Sequence, residues 1–245
     1  MTQIFAHRGY SAKYPENTML AFREAEKAGA HGIELDVQLS KDGEVVVIHD
    51  EKVNRTTNGK GYVQGLTLKE LQRLDAGYHM KTIVKKQPIP SLRDVLEWMT
   101  TTEVLCNIEL KNNVLQYEGM EEKVISLVWE YGLSERVIIS SFNHYSLVKS
   151  YRIAPEVETA ALFGNAVYMP WVYAQSIRAR GIHPKYTAYP IEILQKLLEN
   201  GVAVRPYTVN KEKDMEKFFR INCSSIITDD PVLALKVQKK TSLGK

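Results

Sequence analysis

The stretch RVIISSFNHYSLVKSYRIAPEVETAAL, residues 136–162, decides the fold, because it holds one complete strand–helix–strand unit. Its two ends, RVIIS and VETAAL, are short apolar runs of the kind that form buried strands. Between them, NHYSLVKSYR has the length and the spacing of a helix. A strand that is followed by a helix and then by a second strand is the unit from which parallel sheets are built.

The same unit recurs on both sides of this stretch. The strand-like runs are QIFAH, GIELDVQL, EVVVIHD, EVLCNIELK, GIHP, VAVRPYTV and SSIITD. The helix-like segments between and after them include NTMLAFREAEKAG, GMEEKVISLVWEYG, MPWVYAQSIRAR, PIEILQKLLENG, KEKDMEKFFR and PVLALKVQKK. About eight such units predict an α/β fold in which a parallel sheet closes into a TIM (β/α)₈ barrel.

One region interrupts this alternation. Residues 50–91 contain Gly and Asn turns and one short helix-like segment, TLKELQRL, but no clean strand–helix unit. We interpret 50–91 as a small inserted loop or subdomain after the second strand region, and we predict a single domain over residues 1–245. An independent second domain is disfavoured, because the segment has too few apolar residues for a core of its own. Long inserted loops in compact domains are often functional.

Composition and charge exclude several classes of protein. The chain of 245 residues is 44% hydrophobic and 25% charged, as is ordinary for a globular protein. The net charge of +3, with no dense Lys/Arg run before the tail, argues against a nucleic-acid partner. Cys106 and Cys223 are too few for a disulfide framework and lack the spacing of metal ligands, which suits a reducing compartment. We find no signal peptide and no membrane span, so we expect a cytoplasmic chain without stable membrane insertion.

Two carboxylates share one face of the second strand. Glu34, Asp36 and Gln38 alternate with apolar residues in GIELDVQL, residues 32–39, so they point to the same side. In an antiparallel sheet that side would face water. Parallel sheets are usually buried on both faces, and two buried carboxylates repel each other unless a cation lies between them. The pattern therefore favours a metal site, with a solvated amphipathic strand as the alternative.

A second strand repeats this pattern. In NIELK, residues 107–111, Glu109 and Lys111 share one face. Glu109 would supply a third carboxylate to the site, and Lys111 could hold an anion against the metal; a simple cross-strand ion pair is the alternative. Oxygen ligands suit one divalent cation, which leaves Mg²⁺, Ca²⁺ and Mn²⁺ open.

Two histidines follow strand-like runs at their carboxyl ends, where barrel active sites lie. His7 ends the first run, and His49 ends the third, where Asp50 could orient its imidazole. Either histidine alone could be a structural residue. Together with a metal they suit general acid–base chemistry on a phosphate ester, and Arg8 and Lys111 would supply the fixed positive charge that a phosphodiester oxygen needs.

The loop after the first strand would cover a phosphate held there. This loop, GYSAKYPENT, spans residues 9–18 and leads into the first helix. Asn17 or Thr18 lies near the helix N-cap, and we expect Asn17 to be the capping residue. Glu16, at the end of the loop, is placed to brace Arg8.

These motifs occur together and in a fixed order. They are AHRGYSAKYPENTMLAF, GIELDVQLSKDGEVVVIHDEKVNRTTNGKG, NIELK, SSFNHYSL, VRPYTVN and ITDDP. In this combination the chain resembles the glycerophosphodiester phosphodiesterase family over almost its whole length. The resemblance implies a metal-dependent TIM barrel with a small insertion after the HD motif.

The resemblance also implies a reaction and residue roles. It implies hydrolysis of glycerophosphodiesters, as the small-molecule partner, to sn-glycerol 3-phosphate and an alcohol. The glycerol 2-hydroxyl attacks phosphorus, and water opens the resulting cyclic phosphate. The implied roles are His7 and His49 as the acid–base pair, Glu34, Asp36 and Glu109 as ligands of the divalent cation, and Arg8 and Lys111 as phosphate-binding residues.

One residue departs from the family pattern. Many members have V-x-x-W-T-V-N in the late strand, whereas VRPYTVN places Tyr207 at the tryptophan position. Either ring can wall a glycerol-sized pocket, but Tyr adds a hydroxyl. The preference among head groups is therefore the property that this departure affects.

Two other functions remain open at the level of sequence. A lysophospholipase-D-like or phosphoinositide-lyase-like enzyme would use the same barrel with an apolar rim, for which YMPWVY, residues 168–173, supplies aromatic side chains. A non-catalytic phosphate-binding protein is the other candidate. Such a binder has no use for two proton-transfer groups, so the histidines argue against it.

Overall fold

Strands and helices alternate along the chain in a computed structural model that describes residues 1–80, 82 and 85–243. Strands and helices have these bounds: β1 Gln3–His7, α1 Met19–Lys27, β2 Gly32–Leu39, β3 Val45–Val47, α2 Leu68–Gln72, α3 Leu92–Met99, β4 Leu105–Leu110, α4 Met120–Glu130, β5 Val137–Ser141, α5 His144–Ile153, β6 Glu158–Phe163, α6 Pro170–Ser176, β7 Gly181–Pro184, α7 Ile191–Glu199, β8 Ala203–Val204, α8 Glu212–Arg220, β9 Ser225–Thr228 and α9 Pro231–Leu243.

The sheet is the parallel barrel that the repeated units predict. Neighbouring strands run in the order β8-β7-β6-β5-β4-β2-β1-β9, and each of these pairings is parallel. Separate hydrogen bonds join the two outer strands: Val204 N donates to Ser224 Oγ at 3.0 Å, and Ile227 N donates to Pro206 O at 3.0 Å. The nearly closed barrel confirms the predicted TIM fold, and it brings the carboxyl ends of all eight strands to one face.

The third strand lies outside this barrel order. β3 pairs antiparallel with β2, and Val37 lies opposite Val47. Its apolar sequence resembles a barrel strand, but only residues 40–44 separate it from β2. A parallel connection needs a dozen or more residues, so a hairpin is the only pairing this short link allows. β3 therefore carries the chain from the barrel wall into the insertion.

The insertion shares a small hydrophobic cluster with β3, separate from the main core. β3 and the residue that follows it contribute to this cluster, so the apolar residues of 50–91 do not form it alone. The buried members are Val46, Ile48, Val53, Val63, Leu71 and Ile89. The assignment of 1–245 to one domain, with 50–91 inserted, stays a prediction. Positions 81, 83, 84, 244 and 245 lie outside the described residues.

Side chains fill the inside of the barrel below its carboxyl face. Phe5, Ile138, Ala160 and Ile227 form one buried layer there. Gly32 has no room for a side chain, because a Cβ would lie 2.7 Å from the Phe5 ring.

At the amino end, the guanidinium of Arg205 reaches across to Glu158, the first residue of β6, and Nη1 donates to Oε1 at 2.7 Å. This ion pair lies at the opposite end of the barrel from the predicted site. Among the residues that the model describes, none of the helices is long and apolar enough to cross a membrane.

Candidate active site

Three carboxylates meet inside the barrel near its carboxyl face. Glu34 and Asp36 point inward from β2, and Glu109 points inward from β4, where it lies in register with Asp36. One oxygen from each carboxylate lies within 4.8 Å of the others, and all three residues are buried. The fold thus brings together the three residues that the sequence predicts as metal ligands.

This cluster cannot hold three negative charges without compensation. Burial, with the nearby charge of Asp36, raises the pKa of Glu34 to about 8. Burial and Asp36 also raise the pKa of Glu109, although Lys111 opposes this effect. Oxygen ligands at this density fit a hard divalent cation such as Mg²⁺, Ca²⁺ or Mn²⁺. The donor set therefore matches the cation that the resemblance implies.

Asp36 is the carboxylate that keeps its charge. Burial opposes its ionisation, but Arg8, His49 and Lys111 outweigh burial and lower the pKa of Asp36. Its Oδ1 is buried without a hydrogen-bond partner among the described residues. Buried polar atoms are rarely left unpaired, so this oxygen is a free ligand atom that faces the cluster.

Asn17 orients Asp36 and does not cap the first helix as we expected. Its Nδ2 donates to Asp36 Oδ2 at 2.8 Å, and its Oδ1 accepts from Asp36 N at 3.3 Å. Thr18 is the N-cap of α1, because its Oγ1 accepts from Ala21 N at 3.2 Å. Both residues suit a cap by type, and a φ of +55° at Asn17 turns its side chain toward β2.

A tight turn after β1 aims Arg8 at the carboxylates. Arg8 and Gly9 have φ values of +55° and +79°. Arg8 N donates to Glu34 Oε2 at 2.9 Å, its Nε lies 3.3 Å from Asp36 Oδ2, and its Nη1 donates to Glu16 Oε1 at 2.8 Å. Glu16 thus braces Arg8, as the sequence suggested. The guanidinium therefore lies beside the acidic cluster.

His7 lies at the rim of the cluster and is held by the last strand. Its Nδ1 lies 2.6 Å from Asp229 Oδ1, and its Nε2 lies 4.0 Å from Glu34 Oε2. Burial opposes the charge of Asp229, but the hydrogen bond and charge of His7, together with hydrogen bonds from Asn210 and Ser11, lower the pKa of Asp229, so this carboxylate accepts and Nδ1 donates. Burial disfavours the charged imidazole, but Asp229 and Glu34 raise the pKa of His7.

Sequence reasoning missed the role of Asp229. The motif ITDDP places it just after β9, at the same face as the other site residues, and that position was the available signal. Asn210 Nδ2 donates to Asp229 Oδ2 at 2.6 Å, and Ser11 Oγ donates to Asp229 Oδ1 at 3.2 Å. Three separate loops therefore fix the orientation of His7.

His49 approaches the cluster from the opposite side, two residues after β3. Its Nδ1 lies 2.6 Å from Asp50 Oδ1, and its Nε2 lies 3.2 Å from Lys111 Nζ. Lys111 Nζ in turn donates to Glu109 Oε1 at 2.7 Å. Burial opposes the charge on Lys111, but Glu109 and Asp36 raise its pKa, so it stays an ammonium.

Arg55 is a second residue that sequence reasoning missed. It lies in the insertion, and its guanidinium donates to both Asp50 and Glu16. Partial burial opposes ionisation of Asp50, but hydrogen bonds from Arg55 and His49 lower the pKa of Asp50 to about 2. Asp50 is therefore a carboxylate near neutral pH, and His49 Nδ1 must be its donor. The NRTTNG segment contains Arg55 but shows no spacing that predicts this contact.

Tyr207 forms an aromatic wall next to the carboxylates. Burial raises the pKa of its hydroxyl, and the charge of Glu109 adds to this shift. The hydroxyl donates to Phe163 O at 3.2 Å, and the ring meets Phe142 edge to face at 6.2 Å. The extra hydroxyl is thus bonded to the backbone, and the ring is the part that remains to face a ligand.

His183 does not join the site. It is fully buried in β7, and neither ring nitrogen has a hydrogen-bond partner among the described residues. Burial and the neighbouring Arg205 lower its pKa, so this imidazole is neutral.

Comparison with known proteins agrees with this geometry. Residues 7–233 match the model of the glycerophosphoryl diester phosphodiesterase family. A glycerophosphodiester phosphodiesterase of Caldanaerobacter subterraneus subsp. tengcongensis is 44% identical over 98% of both chains.

Solved structures agree as well. An Oleispira antarctica phosphodiesterase in complex with the product sn-glycerol-3-phosphate superimposes with a TM-score of 0.86, 27% identity and coverage of 98% of this chain and 97% of that one. A Silicibacter pomeroyi protein described as a glycerophosphoryl diester phosphodiesterase has the same fold, with a TM-score of 0.90 at 21% identity over 99% of this chain and 94% of that one.

Proposed function

Since the chain belongs to the glycerophosphoryl diester phosphodiesterase family, we propose that a divalent cation and two histidines carry out its phosphodiesterase reaction. The products are sn-glycerol 3-phosphate and an alcohol. The activity follows from the family, whereas the cation and the roles of the histidines are the proposal. One observation carries it: three buried carboxylates gather within 4.8 Å of one another between two imidazoles.

Glu34, Asp36 and Glu109 are the residues that would hold the cation. Bound there, a divalent cation would act as a Lewis acid that withdraws charge from phosphorus and lowers the pKa of the attacking hydroxyl. Arg8 and Lys111 flank these carboxylates and would hold the non-bridging phosphate oxygens.

His7 is the proposed general base. Its Nδ1 donates to Asp229, which leaves the lone pair of Nε2 directed toward the cluster. In the first step Nε2 takes the proton of the glycerol 2-hydroxyl while that oxygen bonds to phosphorus. The bond from phosphorus to the leaving alcohol breaks, and a cyclic phosphate forms.

His49 is the proposed general acid. Asp50 holds its Nδ1, so Nε2 is the nitrogen that can carry a proton to the departing alkoxide once it is free of Lys111. A bound phosphate would draw the ammonium of Lys111 away from His49 Nε2. In the second step the roles reverse: His49 takes a proton from water, the water oxygen bonds to phosphorus while the bond from phosphorus to the glycerol 2-oxygen breaks, and His7 returns its proton to that 2-oxygen.

The glycerol end of the substrate would lie against Tyr207. The Oleispira antarctica relative holds sn-glycerol-3-phosphate, which supports the same product for this chain. The Tyr207 ring stands close to Glu109, and its hydroxyl is occupied by the backbone. An apolar face that offers no free donor suits the carbon skeleton of glycerol better than a charged head group.

Substitution of each histidine tests the proposal. His7→Ala and His49→Ala are expected to lower kcat on glycerophosphocholine by about 10²–10⁴-fold, which is the usual contribution of a positioned acid or base. His79→Ala, at an exposed histidine in the insertion, is the matched control and should leave the rate unchanged. Circular dichroism would verify folding. A nearly normal rate in either variant would remove that histidine from the mechanism.

One observation favours a second candidate, a lysophospholipase-D-like activity. Tyr168, in the loop after β6, is 92% exposed, and Val172 on α6 is 48% exposed. Exposed apolar side chains at the carboxyl face could receive an acyl chain. Rates on glycerophosphocholine and lysophosphatidylcholine would separate the two activities. Replacing Tyr168 by Ser should affect only the second substrate if that rim is used.

A further inference from the structure

A single arginine in the insertion joins two groups of the site that are far apart in sequence. Arg55 Nε and Nη2 donate to Asp50 at 2.6 and 3.0 Å. Arg55 Nη1 and Nη2 donate to Glu16 at 2.7 and 2.8 Å. Its planar guanidinium thus binds two carboxylates at once, a geometry that a lysine ammonium cannot reproduce.

Each of these carboxylates also contacts a residue that we assign to the reaction. Glu16 Oε1 accepts from Arg8 Nη1 at 2.8 Å, and Asp50 Oδ1 lies 2.6 Å from His49 Nδ1. The result is a continuous chain of charge-assisted hydrogen bonds from the phosphate-binding arginine to the proposed acid.

The arrangement depends on Arg55 for its charge balance. Glu16 ends the loop after β1, whereas Asp50 begins the insertion, and two carboxylates on such separate segments repel each other. Within the described part of the chain, the ion pairs of Asp50 are those to Arg55 and His49. Without Arg55, Asp50 would lose the cation that fixes it in front of His49 Nδ1, and Glu16 would be free to turn away from Arg8.

We propose that Arg55 is a positioning residue that keeps His49 oriented for proton donation to the leaving alcohol. The inference rests on the proposed role of His49 as the acid. It assigns Arg55 no contact with substrate. Arg55 acts through Asp50, whereas Arg8 keeps its own contacts with Glu34 and Asp36 at the carboxylates.

Two substrates with different leaving groups test this role. Glycerophosphocholine releases a poorly stabilised alkoxide that needs an acid, whereas the p-nitrophenyl diester of glycerol 3-phosphate releases a phenolate that leaves unaided. With the cation supplied, Arg55→Met is expected to lower kcat on glycerophosphocholine by about 10- to 100-fold, the usual effect of losing an outer contact of a site residue. On the p-nitrophenyl diester, the release of nitrophenolate in a single turnover should slow by less than about 3-fold, because this first step needs no acid and precedes the water attack in which His49 is the base.

Two further variants serve as comparisons. Arg55→Lys keeps the charge and should recover part of the rate on glycerophosphocholine, because its ammonium can reach one carboxylate but cannot bind both. Arg93→Met is the matched control: Arg93 is 49% exposed, against 47% for Arg55, and it pairs with Glu130 far from the site. That control should leave both rates unchanged.

The outcomes separate the possible failures. If Arg55→Met slows both substrates equally and lowers Tm, Arg55 only ties the insertion to the barrel, and the inference is wrong. Unchanged rates on both substrates would also overturn it. His49→Ala, assayed on the same pair, reports on the proposed function itself. If His49→Ala shows no dependence on the leaving group, the acid assignment fails, and the role of Arg55 falls with it.

Discussion

The two imidazoles of the site are held in different ways. His7 belongs to a barrel strand, and its partner Asp229 is fixed by Asn210 and Ser11, which lie on two other loops of the barrel. His49 lies beyond the β3 hairpin, and its partner Asp50 depends on Arg55, a half-exposed residue of the insertion. One half of the site is thus built on the scaffold, and the other half on an ion network at the surface.

This difference shows how a fixed barrel can carry an adjustable site. Contacts among barrel strands and loops are hard to change without disturbing the fold, whereas an ion pair to a half-exposed arginine can be altered at small cost in stability. The carboxylates of β2 and β4 lie between the two halves and serve both. Substitutions in the His7 half, in the His49 half and at the carboxylates between them should therefore have effects of different size on activity and stability.

Loss of a cation from the three carboxylates of β2 and β4 should give the largest effect, because these carboxylates serve both halves of the site. Removal of the divalent cation with EDTA is expected to abolish turnover on glycerophosphocholine, and Mg²⁺, Ca²⁺ or Mn²⁺ should restore it. Thermal unfolding gives a second reading, since a cation at 100 times its Kd stabilises the folded state by about 2.7 kcal/mol. Full activity in EDTA would mean that the carboxylates have another purpose.

The next largest effect should come from the two orienting carboxylates. Asp229→Asn and Asp50→Asn each put an amide in place of an obligate acceptor, so the imidazole can bind in the wrong tautomer. We expect kcat on glycerophosphocholine to fall by about 10²-fold in each variant. Single-turnover release of nitrophenolate from the p-nitrophenyl diester should distinguish them, because only Asp229→Asn should slow that first step. Equal losses on both substrates would contradict the division between the two halves.

Substitution of one glycine in each half compares how much each region contributes to the free energy of unfolding. A Cβ at Gly9, where φ is +79°, would lie 2.7 Å from the backbone of Ala21, whereas a Cβ at Gly61, where φ is +115°, would meet nothing within 4 Å. Gly9→Ala is expected to lower the free energy of unfolding by about 3 kcal/mol. Gly61→Ala should lower it by about 1 kcal/mol, from backbone strain alone. Urea unfolding measures both, and similar values would show that the barrel turn can shift to make room.

The smallest effect concerns acid stability on the insertion side. Asp50 has its pKa lowered from 3.8 to about 2, so its ionised form stabilises the folded state above pH 3.8, and this contribution is lost as the pH falls toward 2. Arg55→Met should reduce the free energy of unfolding by at most about 1 kcal/mol near pH 5, because the pair is partly exposed.

Urea unfolding between pH 5 and pH 2.5 measures this difference, which should close as the pH falls. In an Asp50→Asn background the same substitution should show no such pH dependence. A difference that persists unchanged at low pH would mean that Arg55 stabilises the fold by packing and not through the charge of Asp50.

Local patterns predicted the barrel and the cluster of three carboxylates because both depend on short-range rules. Alternation along a strand placed Glu34 and Asp36 on one face, and parallel register placed Glu109 beside them. The repeated strand–helix unit determined the fold in the same way.

The contacts of Asp229, Arg55 and Asn17 could not be predicted from the sequence, because they join residues that are far apart along the chain. His7 and Asp229 are 222 positions apart, and Arg55 and Glu16 are 39 positions apart. Asn17 and Thr18 both suit a helix cap by residue type, and only the fold shows that the first of them turns to Asp36 instead. The short link before β3 held a usable signal, since it is too short for a parallel crossover.

The filled interior of the barrel has a consequence for turnover. The packed layer around Phe5 fills the middle of the described interior, and the ion pair of Arg205 and Glu158 closes its amino end. Substrates and products therefore enter and leave through the carboxyl face. The same opening must then admit the diester and water and release the alcohol and glycerol 3-phosphate. A released molecule of glycerol 3-phosphate competes there with incoming diester, so product inhibition of the competitive type follows from the architecture itself.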